Sequence, residues 1–70
     1  MGINDTGRAP AVRRAAAALE VVARSGHASV AEISRDLNLA KSSASDLLST
    51  MLTERMLTRR GGALVLGELL

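Results

Sequence analysis

Between Lys41 and Thr53 the chain reads KSSASDLLSTMLT, with hydroxyls at Ser42, Ser43, Ser45, Ser49, Thr50 and Thr53 and one carboxylate at Asp46. A helical period collects Ala44, Leu47, Leu48 and Met51 on one side of this segment. The opposite side then holds Ser42, Asp46, Ser49 and Thr53, flanked by Ser45. Hydroxyls spaced in this way bond phosphate oxygens or base edges, each of them weakly. The strong readers, arginine or lysine for guanine and asparagine or glutamine for adenine, do not sit at the centre of this face. Lys41 stands at the helix start, next to the backbone N–H groups that a helix N-terminus offers to an anion. Asp46 has several readings by type: an acceptor for a cytosine amino group, a repeller of phosphates, a partner for a neighbouring arginine, or a solvated surface acid.

The remaining cations fall around this segment. Arg35 projects from the preceding helical stretch, and Arg55, Arg59 and Arg60 surround Gly61-Gly62. Arg59 and Arg60 could set guanidinium groups on a nucleic-acid backbone or in a minor groove. Charge on an exposed strand is the plainer alternative, and the upstream segment favours contact. Other chemistry has little support. Cysteine is absent and His27 is the single histidine, which excludes disulfides and the standard metal-ligand sets. His27 falls in a loop and reads as solvated. No motif frames a nucleophile, Glu32 is engaged in helix capping, and Gly61-Gly62 is not followed by a phosphate-binding helix. Neither an enzyme, nor a cofactor, nor a metal is expected.

These residues need elements to position them. Residues 1–9 are polar and aperiodic and predict a loose arm. Pro10 suits the first position of a helix, and Val12, Ala15, Ala16, Leu19, Val22 and Ala23 recur at helical spacing over 11–24. That pattern sets Arg14, Ala18 and Val21 opposite the core stripe. Gly26 is a left-handed cap for the first helix. Ser29-Val-Ala-Glu32 is a capping box that starts the second helix, with Val30, Ile33 and Leu37 inward. Asn38-Leu39-Ala40 is the turn, and the third helix runs from Lys41 to Glu54 or Arg55. Leu57–Arg60, Gly61-Gly62 and Ala63–Leu66 predict a β-hairpin with a primed turn. The fold class is therefore mainly α: a three-helix winged helix-turn-helix with a C-terminal two-stranded β-wing. The domain is expected over 10–67, with 68–70 beginning a linker or tail.

Composition agrees with one small unit. Seventy residues form at most one domain, and no Phe, Tyr or Trp is present to fill its core. Net charge is +2, with eight arginines among nine basic residues and a pI near 10.5. This balance suits a modest polyanion binder. No run approaches the roughly 18 apolar residues of a membrane span, and no signal-peptide core is visible. A cytoplasmic location is the expectation.

The string LEVVARSGHASVAEISRDLNLAKSSASDLLSTML, followed by RRGGALVLGELL, resembles the N-terminal DNA-binding domain of the IclR (isocitrate lyase regulator) family. The matching features are Leu19 and Val22, the Ser29–Ile33 start, Leu37, Leu39, Lys41 and Ser42, Leu47-Leu48, and the closing Leu66-Gly67. The likeness covers residues 11 to 70. Three positions depart from it: Ala40 where proline is common, Met56 where glycine is common, and Leu64 where an aromatic is common. A non-glycine residue at a left-handed cap costs on the order of 1 kcal/mol, so Met56 is expected to strain the helix end.

The resemblance implies a DNA-binding transcriptional regulator of repressor type that acts on double-stranded DNA as a homodimer. Relatives usually carry a larger effector-binding domain, which these 70 residues do not contain. No small-molecule effector is therefore expected within this chain. The third helix would enter the major groove, with Ser42, Ser43, Ser45, Asp46 and Ser49 against bases or phosphates. Arg35, Lys41, Arg59 and Arg60 would supply the salt-sensitive contacts. A dimer interface is expected at Arg14, Ala18 and Val21. The alternative function is a winged-helix protein-interaction or dimerisation module with little DNA affinity.

Overall fold

The computed structural model describes residues 10–69. The expected arm at 1–9 and the terminal Leu70 lie outside the described residues. Helix α1 spans Pro10–Ser25, α2 Val30–Asp36 and α3 Lys41–Thr53. Strands β1 (Leu57–Arg60) and β2 (Ala63–Leu66) follow as an antiparallel pair. This is the winged helix-turn-helix that the sequence predicts. Among the described residues, no helix is long and apolar enough to cross a membrane.

Each helix ends through a residue in the left-handed region. Gly26 (φ 89°) closes α1, and its N–H donates to the Val22 carbonyl at 2.8 Å. Asn38 (φ 56°) closes α2 with a pair of bonds, Asn38 N–H to Arg35 O and Leu39 N–H to Ser34 O. The same pair recurs after α3, as Arg55 N–H to Leu52 O and Met56 N–H to Met51 O. These paired bonds satisfy carbonyls that a helix end otherwise leaves open. The strain expected at Met56 is thus carried one residue earlier, by Arg55 at φ 63°. Met56 itself packs against the core, as the residue after a left-handed cap commonly does.

The core is aliphatic. Ala18, Val22, Ala28, Ile33, Leu48, Met51, Leu57 and Leu64 form one buried cluster to which every element contributes. Ile33, Met51 and Leu57 are its largest buried side chains, each contributing about 1.5–3 kcal/mol. The face of α1 corrects the expectation. Ala18 and Val22 are the buried line, with Ala15, Leu19 and Val21 partly buried against the core. Val12 is 69% exposed, and Ala16 and Ala23 are exposed as well. The four alanines at 15–18 give the sequence no hydrophobic contrast there. Packing against α2, α3 and β2 selects the face instead, and Ala18 lets those elements approach closely.

The hairpin follows its sequence residue for residue. Gly61 (φ 57°) and Gly62 (φ 83°) both take the positive φ that a primed two-residue turn requires. Leu57 pairs with Leu66, Thr58 with Val65, Arg59 with Leu64 and Arg60 with Ala63. One further pairing was not legible: Ala28, in the loop after α1, bridges Leu64 through two bonds of 3.0 and 2.8 Å. That bridge anchors the wing to the start of α2. Gly67 and Leu69 then donate to the Met56 and Arg55 carbonyls at 2.9 and 3.0 Å. The stretch expected to begin a linker is therefore tied to the end of α3 through Leu69.

Candidate nucleic-acid interface

The third helix presents its polar side as its residue spacing requires. Ala44, Leu48 and Met51 are buried, while Ser42, Ser43, Ser45, Asp46, Ser49, Thr50 and Thr53 are exposed. Leu47 is only partly buried, on the flank toward α1. On that flank Ser43, Asp46 and Thr50 line an apolar groove of about 640 Å³ with Val12, Ala16 and Met56. The outward side therefore divides. Ser42, Ser45 and Ser49 lie away from the groove, and Asp46 stands on the ridge between. The Thr50 hydroxyl donates to the Asp46 main-chain carbonyl at 3.1 Å, which commits it to the backbone.

The start of α3 is open. Its N-cap residue, Ala40, makes no side-chain cap bond, and no acidic residue occupies the first turn. The first intrahelical donor with a partner is Ala44, bonded to Ala40 O at 2.9 Å. The preceding N–H groups point outward beside Lys41, with the positive end of the helix dipole behind them. Arg35, Asn38 and Lys41 share a shallow groove at the turn between α2 and α3. The structure thus brings Arg35 and Lys41 together, and it adds Asn38, which its sequence position marks only as part of the turn. Ser34 Oγ is buried in the same groove with no hydrogen-bond partner. Arg35 also reaches Asp36 at 3.7 Å on the surface, a pair that contributes little.

The second helix is held by the predicted capping box. Ser29 N–H donates to Glu32 Oε1 at 2.8 Å and Glu32 N–H donates to Ser29 Oγ at 3.0 Å. The Glu32 carboxyl is held below its ordinary range, first by the Ser29 backbone N–H, against a smaller desolvation effect. The Ser29 hydroxyl, Arg35 and His27 add to the lowering. This box satisfies two backbone donors at the start of α2 and so fixes where that helix begins.

On the wing, Arg59 and Arg60 are exposed and make no hydrogen bond or ion pair among the described residues. Because side chains alternate along a strand, the two arginines leave the hairpin on opposite faces. Arg59 shares a face with Leu57 and Leu64, and Arg60 shares one with Thr58 and Ala63.

Residues 11–61 match the family model of the IclR helix-turn-helix domain. The chain belongs to the IclR helix-turn-helix family. It is a DNA-binding transcription-regulator module on that ground. No curated protein and no solved structure matches the chain. The family match ends inside the β1–β2 turn, and the structure completes the wing beyond it.

The positions at which this IclR domain departs from the resemblance now have structural accounts. Ala40 has φ −63°, a backbone that proline also adopts. Leu64, in the aromatic position, is 1% exposed and forms the bridge to Ala28. The expected dimer residues are corrected in part. Ala18 is wholly buried in the domain's own core and leaves no surface for a partner. Val21 is partly buried against that core. Arg14 remains exposed and lines the groove between α1 and α3.

Proposed function

We propose that this IclR domain binds double-stranded DNA with α3 in the major groove and the wing on the adjacent backbone or minor groove, in transcriptional control of the repressor type. The observation that carries the reading is the open α3 N-terminus beside Lys41, continuous with the exposed Ser42, Ser45, Asp46 and Ser49. Backbone N–H groups, Lys41 and Arg35 hold phosphates, and the hydroxyls touch base edges or sugar-phosphate oxygens. Ser43 contributes from the flank nearer α1. Arg59 and Arg60, diverging from the wing, each take a phosphate or the minor-groove wall.

The active species in this reading is a homodimer that places two α3 helices in half-sites about 34 Å apart. Its contact surface is the exposed side of α1 around Val12, Ala16 and Arg14, in place of Ala18. The reading keeps the protein in the cytoplasm with the DNA and assigns no effector site to this chain.

Fluorescence anisotropy with generic duplex DNA, across a range of salt concentrations, tests the DNA contact. Binding should weaken steeply with salt, with a slope of about −0.9 per phosphate neutralised. Arg59→Ala/Arg60→Ala should flatten that slope by about 1.8 if both arginines hold phosphates. Salt-insensitive binding, or none at low salt, would sink the proposal. An unchanged slope in the double variant would remove the wing from the interface.

A further inference from the structure

We infer that Asp46 makes the domain cytosine-selective: its carboxylate accepts from the N4 amino group of a cytosine in the major groove, so each half-site carries a C·G pair beneath the middle of α3. This deepens the DNA-binding reading above and rests on it. Asp46 is exposed on the outward ridge of α3, and its carboxylate has no ion pair or hydrogen bond among the described residues. The side chains one turn away on the helix are Ser42, Ser43, Ser49 and Thr50, none of them a cation. Thr50 spends its hydroxyl proton on the Asp46 main-chain carbonyl and not on the carboxylate. Arg14 lines the same groove from α1 without forming an ion pair with Asp46. The carboxylate keeps its full acceptor capacity for a ligand.

The chemistry of base edges then selects among four. Guanine presents acceptors at O6 and N7, and thymine presents O4 and a methyl group, so both repel or ignore a carboxylate. Adenine offers its N6 amino group beside the N7 acceptor, whose lone pair opposes the incoming oxygen. Cytosine alone offers an amino donor with no acceptor next to it on its own edge. The flanking serines do not oppose this choice, because a hydroxyl rotates to donate or accept. An acid here also lowers attraction to every phosphate nearby. Asp46 therefore exchanges general affinity for discrimination against sites without the cytosine.

The test is selection from a randomised duplex library by the full chain, in parallel with Asp46→Asn and Asp46→Ala, after matched thermal melts show all three folded. The wild type should enrich cytosine at one position by roughly five-fold or more over each other base. Asp46→Asn should move that preference to adenine, since a carboxamide accepts from N6 while donating to N7. Asp46→Ala should leave the position without preference. The same base preference in all three proteins overturns the assignment, as does a wild-type profile with no cytosine position despite salt-sensitive binding. Failure of all three to show salt-sensitive binding overturns the DNA reading and this inference with it.

Discussion

Arg55 carries the main backbone strain at the end of α3. Its φ of 63° closes the helix, a conformation that costs a side-chain-bearing residue about 1–2 kcal/mol. Glycine would remove that cost and give back about 0.5–1 kcal/mol of chain entropy. The Arg55–Glu68 contact at 4.0 Å is fully on the surface and offsets little. Arg55→Gly should therefore raise the melting temperature by roughly 2–8 °C. A fall would show that the arginine's surface contacts outweigh its backbone strain. Gly67 has a different reason for being glycine. A Cβ there would overlap the Arg55 carbonyl oxygen and lie 2.8 Å from its carbon. The closing Leu66-Gly67 of the sequence resemblance is thus a close approach of two backbones.

At the scale of elements, the capping box gives α2 a pH dependence. The Glu32 carboxyl is lowered in the folded chain from its ordinary value of 4.5. The stability it contributes is complete above that ordinary value and is lost as pH falls through the lower, folded-state value. Melting temperature followed from pH 6 downward should show this loss in the wild type and less of it in Glu32→Gln. Equal pH slopes in the two proteins would place the dependence elsewhere. The wing is an element of a different kind. Its turn is written in Gly61-Gly62, but its attachment depends on Ala28, a small residue in a loop with no strand signal of its own.

For the whole molecule, an aliphatic core of eight buried residues in one cluster supports a stability on the order of 5 kcal/mol. A second copy on α1 would add apolar burial to it. Val12, 69% exposed beside the groove, is the residue whose exposure the proposed homodimer relieves. Val12→Glu should shift sedimentation equilibrium toward monomer and weaken DNA binding by about 10²-fold or more through lost avidity, with an unchanged helical circular-dichroism spectrum. A wild-type protein that sediments as a monomer at tens of micromolar would argue against this interface.

The sequence by itself determined the elements and their order. Gly26, the Ser29–Glu32 box and Gly61-Gly62 are local signals, and local hydrogen bonds and allowed φ values enforce them without help from the rest of the chain. It also determined the polar side of α3, because Ala44, Leu48 and Met51 allow only one inward face. Tertiary structure decided what local signals leave open. The alanines at 15–18 are interchangeable by hydropathy, so only the convergence of α2, α3 and β2 could bury Ala18 and leave Val12 out. The left-handed cap falls on Arg55 and not on Met56, whose N–H closes onto the Met51 carbonyl and whose side chain packs against the core. Asp46 is the mixed case: its position on the ridge was legible from spacing, while its freedom from Arg14 and Thr50 emerged only once α1 and α3 were packed.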